Sequence, residues 1–354
     1  MTDILIPSNK VNIVTDATLL TSIMKCGRYT DLKFNHNLQP IKGKSNSLEI
    51  GSVIHKFMEV YYGSQMKGIG KSQAFGFGIS AAELYIQGCK DCTKFESIAP
   101  LNIPCNCAAF NTPNAKVDDS SLHGSDCFYI YGRNKPSCGH PPNEYPGLHN
   151  TPSESEGYNI GWKFALQTCD EYHKFWASDF WVTVDVETVR SKTLYEDDEI
   201  RILWKSKLDW IVDTNQGIFP CDHKTMKQNR DSISINNQFM GQCRMMDTRN
   251  IFINKVGLQK TLKPVDKFKR ESISYSSARL MEWQSYILPY WCKQLIAYNE
   301  QGHYPPNFHS CDGKYGKCEF YEGCESDPDM REEVFRLNFY RGSEWNPTNQ
   351  INDE

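Results

Sequence analysis

The chain has 354 residues, 39% hydrophobic and 12% aromatic, which is enough for one large core or two ordinary ones and too apolar for a disordered chain. A formal net charge of −4 excludes a globally basic polyanion binder, so any nucleic-acid surface must be local. No run approaches the roughly 18 apolar residues of a membrane span, and the N-terminus MTDILIPSNKVNIVTD has no basic region leading into an apolar one. The expectation is a cytoplasmic protein with no membrane partner, whose 14 cysteines stay reduced and bind metal where they cluster.

Residues 1–69 read as a helical N-terminal part. DATLLTSIMKCGRYTDL opens on Asp16 as an N-cap and sets Leu19, Ile23 and Met24 at helical spacing. LEIGSVIHKFMEVYYG carries an apolar stripe of Ile50, Ile54, Phe57 and Met58, with His55 and Glu59 four apart on one face. Residues 70–158 begin with a helix around AAELYIQ and then become rich in Cys, Pro, Gly, Asn and Ser, which reads as a Cys-rich insertion. Residues 159–300 return to regular pattern. A helix over GYNIGWKFALQTCDEYHKFWA turns Ile160, Phe164, Ala165 and Cys169 inward, and three strands follow in WVTVDVETVR, IRILWKSKLDWIVD and GIFPCDHKT. A helix in INNQFMGQCRMMD, a strand in IFINKVGL and a long helix from Ser276 to about Gln301 complete the pattern. Helices bracketing a mixed sheet predict an α/β fold. Residues 301–354 hold a cysteine cluster and a tail.

Between Lys255 and Arg270 the chain gathers Lys255, Lys260, Lys263, Lys267, Lys269 and Arg270 against Asp266 alone. Such a run reads either as a solvated face or as part of a phosphate-binding path. In the C-terminal stretch CDGKYGKCEFYEGC, Cys311, Cys318 and Cys324 stand close enough for soft-metal ligation, with Cys26 as the fourth thiolate. Within the insertion, Cys89, Cys92, Cys138 and His140 form the best set for a zinc ion. Cys169, Cys221, Cys243 and Cys292 lie in apolar contexts and read as small core residues.

The stretch DWIVDTNQGIFPCDHKT reads as a hairpin. On its second strand Asp222 and Lys224 project together while His223 points away, and the turn brings Asp209 alongside. Two converging carboxylates suit a hard divalent cation, and a lysine beside it can position a water or offset charge on a phosphate under attack. From Asp-x-Lys alone, a surface hairpin with a cross-strand ion pair accounts for the same residues. Asp213 is more simply a turn residue.

LDWIVDTNQGIFPCDHKT resembles the central motif of the PD-(D/E)XK nucleases, in particular the RecB-like branch with its CRISPR-associated and phage recombination exonucleases. GSVIHKF, from Gly51 to His55, is similar to that branch's upstream G-x-x-x-H signature, and Gln238 in NNQFMGQC is similar to its glutamine after the catalytic strand. The resemblance implies a restriction-endonuclease-like core. It also implies Mg²⁺ or Mn²⁺ held by His55, Asp209, Asp222 and the backbone carbonyl of His223, with Lys224 as the catalytic lysine and Gln238 orienting it. Glu187 stands where many relatives carry an acid. Relatives often read Q-x-x-x-Y, whereas here Gln238 is followed by Gln242.

The resemblance further implies a [4Fe-4S] cluster on Cys26, Cys311, Cys318 and Cys324, with zinc as the alternative, and DNA, as single strands or duplex ends, as the partner. The function expected is that of a metal-dependent DNA exonuclease in phage-type recombination, replication or repair, working with a helicase or recombinase in a bacterial host cell. The alternatives are a non-catalytic DNA-binding subunit with the same fold and a nuclease acting on RNA.

Overall fold

A computed structural model describes residues 10–40, 46–86, 156–226, 235–313 and 316–341. The candidate zinc set Cys89, Cys92, Cys138 and His140 lies outside the described residues. In chain order the elements that position the site are β1 (Val11–Thr15), α1 (Ala17–Lys25), α2 (Gly27–Thr30), β2 (Leu38–Pro40), α3 (Asn46–Met66), α4 (Lys71–Ile86) and α5 (Glu156–Phe175). They continue with β3 (Val182–Glu196), β4 (Ile200–Thr214), β5 (Gly217–Met226), α6 (Asn237–Met245), β6 (Asn250–Gly257), β7 (Phe268–Ser274), α7 (Ser277–Glu282) and α8 (Leu288–Gln301). The fold is α/β, a six-stranded mixed sheet flanked by helices.

The long β4 organises the sheet. One of its edges pairs antiparallel with β3 over almost its whole length. Its other edge is shared: Ile200–Trp204 takes β1 in parallel, and Trp210–Thr214 takes β5 in the expected hairpin. The order then runs β5, β6, β7, with β5 and β6 parallel and connected through α6.

Two strands depart from the sequence expectation. Val11–Thr15 is strand rather than helix because it alternates, with Ile13 buried and Val11 and Val14 exposed, and β-branched residues fit a pleated edge. Phe268–Ser274 begins within the last residues of the stretch read as a basic run and closes the sheet as β7.

Even-numbered residues of β4 serve two cores. Trp210 and Val212 join Val53, Ile54 and Phe57 of α3, Ala165, Cys169 and Tyr172 of α5, and Cys221. Ile202 and Trp204 join Ile13 of β1, Leu20 and Ile23 of α1, Phe239 and Cys243 of α6, Trp283 and Cys292. The strong twist of a long strand lets one face supply both. The other face of the same stretch, with Lys205, Lys207 and Asp209, is left to a cleft.

Asp16 caps α1 as expected, accepting the Leu19 N–H at 2.7 Å. Helix α4 packs on α3 and contributes Ala74 and Ala82 to the first core, so a boundary at residue 70 cuts through packed structure. The long helix from Ser276 is interrupted by a π turn at Trp283–Ile287, just ahead of Pro289, which has no N–H for the helical ladder. Cys169, Cys221, Cys243 and Cys292 are buried, as expected of core thiols. Among the described residues no helix is long and apolar enough to cross a membrane.

Candidate active site

The β4–β5 pairing runs from Thr214 and Gly217 to Trp210 and Cys221. One step further, the His223 N–H donates to the Asp209 carboxylate at 2.9 Å, so a side chain stands where a strand carbonyl would be. Asp222 is fully buried, and its Oδ2 lies 2.7 Å from Lys224 Nζ as an ion pair without an aligned hydrogen bond. Its Oδ1 accepts from Gln238 Nε2 at 2.7 Å, while Lys224 donates to Gln238 Oε1 at 3.3 Å. Gln238 on α6 thus holds both members of the Asp-x-Lys pair, and Asn236 caps that helix by accepting the Gln238 N–H at 2.8 Å. His223 turns the other way, into the first core, where Asn254 Nδ2 lies 2.8 Å from its Nδ1 and the rings of Tyr62 and Trp210 stack on it.

Burial pushes the Asp222 carboxyl up to about 7, with Asp209 adding to the shift and Lys224 opposing it. Burial also lowers the His55 imidazole below its ordinary value, so the ring is neutral and able to ligate. His55 reaches this region because α3 lies close on β5 one turn earlier. A Cβ on Gly51 would stand 2.6 Å from Thr225 Oγ1.

Four neighbours of the site carry no role in the sequence reading: Glu187, Lys207, Glu59 and Gln242. Glu187 sits in β3 between the pairs Val186–Trp210 and Thr188–Leu208, level with Asp209, at φ 54 in the left-handed region. Burial pushes its carboxyl up to about 7 although Lys207 pairs with it, and Glu59 and Asp209 add to the rise. A non-glycine residue held there marks backbone strain beside the site. Gln242, one turn after Gln238, is 1% exposed and lies close enough to Asp222 to oppose the rise in its pKa. It is therefore buried support rather than a surface contact. Lys207 shows in the alternation of WKSKLDW, Glu59 in its i, i+4 spacing from His55, and Gln242 in its i, i+4 spacing from Gln238.

Among the described residues no three His, Cys, Asp or Glu side chains are already gathered into a metal-holding group. The donor set nevertheless fits a hard divalent cation in kind. It offers two carboxylates and a neutral imidazole, and one of those carboxylates is buried with an oxygen lacking an aligned hydrogen bond.

The run from Lys255 to Arg270 does not form one basic face. Lys255 is 4% exposed and pairs with Glu271 at 2.6 Å, and Lys267 is 3% exposed and pairs with Glu171 at 2.8 Å. The Arg270 side chain is 5% exposed, pairs with Asp179 at 2.7 Å and stacks 3.8 Å from the Trp176 ring centre. Lys269 lies 3.6 Å from Asp266, which leaves Lys260 and Lys263 as the exposed cations without an ion pair among the described residues. Lys255 on β6 and Arg270 on β7 leave opposite faces of the sheet and Lys267 ends the short helix Pro264–Lys267, yet each is buried against an acid.

Cys26, Cys311, Cys318 and Cys324 line a single small cavity together with Tyr29 and Phe320. The C-terminal segment docks on the end of α1. The Arg28 N–H donates to Pro305 O at 3.1 Å, Asn307 Nδ2 to Lys25 O at 2.9 Å, and the Asn307 N–H to Cys26 Sγ at 3.2 Å. The Cys318 N–H donates to Cys311 O at 2.7 Å and folds the trio back on itself. Four thiols around one cavity fit either a four-thiolate zinc ion or a cubane iron–sulfur cluster.

No family model matches the chain, and no curated protein sequence matches it.

Proposed function

We propose that the chain is a metal-dependent nuclease of the PD-(D/E)XK type, hydrolysing phosphodiester bonds of DNA. The observation that carries this reading is the cluster of Asp209, Asp222, Lys224 and Gln238 at one end of an open cleft, with His55 within electrostatic reach of Asp209 and Lys224. A surface hairpin with an incidental ion pair would not bury its carboxylate completely, nor brace it with a glutamine of the following helix that also holds the lysine.

His55, Asp209, Asp222 and the carbonyl of His223 would hold Mg²⁺ or Mn²⁺, which supplies Lewis-acid polarisation of the phosphate and a more acidic water. The residues of the chain do the rest. Gln238 fixes the Lys224 ammonium beside Asp222, where it orients the attacking water and offsets negative charge developing on the phosphate. The buried Asp222 is expensive to leave charged alone, so it favours a cation at that point. We further propose that the four cysteines hold a [4Fe-4S] cluster, with zinc as the competing occupant, and that the activity is exonucleolytic.

End-labelled linear DNA and closed circular DNA, each incubated with Mg²⁺ or Mn²⁺, test the reading. Metal-dependent degradation of the linear substrate is expected, with the circle resistant. No cleavage of either would remove the enzyme, and equal cleavage of both would remove the exonuclease.

A further inference from the structure

We propose that the cleft leading away from the carboxylates is the track of a single polynucleotide strand, held by its phosphates on Lys207, Lys205, Lys25 and Lys33. The inference rests on reading the carboxylate end as a phosphodiester-cleaving site.

The cleft encloses about 740 Å³ and is bounded by β4 on one side and α1 with the chain after it on the other. On β4, Lys205, Lys207 and Asp209 occur at every second position and leave the same face, so two ammonium groups lead directly to the site. On the opposite wall Lys25 ends α1, and Lys33 lies just beyond α2. Their ammonium groups stand 4.3 Å and 5.1 Å from the ring centre of Tyr29. The charged residues of the lining are these four lysines against Asp16 and Asp209. Asp16 is committed to capping α1. Asp209 belongs to the site.

The chain as a whole is acidic, so this concentration of cations is local. Lys33 is held by Glu319 at 3.2 Å and Lys207 by Glu187, whereas Lys25 and Lys205 have no carboxylate partner among the described residues. Those two are the cations with most to gain from a phosphate. The lysines stand on both walls of one cleft, Lys205 and Lys207 on β4 and Lys25 and Lys33 opposite, which suits a flexible strand lying between them rather than a rigid duplex laid across them. Tyr29 lines both the cleft and the cysteine cavity, so the track ends beside the four thiols.

The test is fluorescence anisotropy with labelled dT15, rU15 and a blunt 15-base-pair duplex, in EDTA so that cleavage does not intervene. Lys25→Ala/Lys205→Ala is expected to bind dT15 at least tenfold more weakly than the wild type. Loss of two phosphate contacts should also reduce the slope of log K against log salt by about 1.4, at about 0.7 per contact for single strands. Lys25→Arg/Lys205→Arg should keep the slope, Lys260→Ala/Lys263→Ala should stay within twofold of wild type, and rU15 should show the same lysine dependence as dT15.

Equal losses in the two alanine pairs, an unchanged slope, a lysine dependence limited to one sugar, or equal lysine-dependent binding of the duplex would each overturn the track. A wild type that binds through Lys25 and Lys205 but cleaves nothing with Mg²⁺ keeps the track and removes the nuclease. Normal cleavage by a protein whose binding ignores both lysines does the reverse.

Discussion

Gly51 lies flat against Thr225: a methyl group at residue 51 would stand 2.6 Å from Thr225 Oγ1. Thr225 is β-branched and stiff at χ1, so admitting a side chain at residue 51 takes a disfavoured Thr225 rotamer or a shift of the helix. His55, one turn along, would move with it. Gly51→Ala is expected to lower phosphodiester cleavage by tenfold or more while the protein stays folded, and Thr225→Ala in the same chain should restore most of it. Full activity in Gly51→Ala would show that this approach does not set the position of His55.

Gln238 bonds to both Asp222 and Lys224, so its loss frees the pair at once. Hydrogen bonds to charged groups contribute about 1.5–3 kcal/mol, which corresponds to roughly 10- to 100-fold in rate. Gln238→Ala should show that loss in kcat with little change in KM, since the residue braces the site. A change confined to KM would instead make Gln238 a substrate contact.

Arg270 illustrates a cation whose role is structural. Its guanidinium is sandwiched by Trp176 and Trp181 and paired with Asp179. Removing one partner of a buried pair costs about 3–5 kcal/mol. Urea melting of Arg270→Ala should show a loss of that order, and Lys263→Ala should show almost none. An unchanged midpoint in Arg270→Ala would contradict the buried pairing.

For the cysteines, each of Cys26→Ser, Cys311→Ser, Cys318→Ser and Cys324→Ser should lose bound metal, because all four thiols line one cavity. Anaerobically purified wild type should be brown and contain iron and sulfide. A colourless protein holding only zinc would refute the cluster while keeping the ligands.

The hairpin, its alternation and the Asp222–Lys224 pair are legible because period-2 spacing fixes which side chains share a face, whereas Gln238 is legible only through the family resemblance. The same alternation in WKSKLDW sets Lys205, Lys207 and Asp209 on one face. What the sequence hides is long-range charge matching. Glu171 and Asp179 reach Lys267 and Arg270 from other parts of the chain, and nothing local announces Asp179 as the partner of Arg270. Strand β1 was missed because five residues before a strong N-cap carry little signal beside the helix that follows.

The central claim is that Asp209, Asp222 and Lys224 form a metal-dependent phosphodiesterase site. Its most direct test is the time course of end-labelled linear DNA with Mg²⁺ for wild type, Asp222→Asn and Lys224→Ala, each first shown to be folded. Wild-type cleavage that EDTA abolishes, reduced by about 10²–10³-fold in both variants, is the expected result. Cleavage that survives both substitutions, or none by the wild type, would contradict the account.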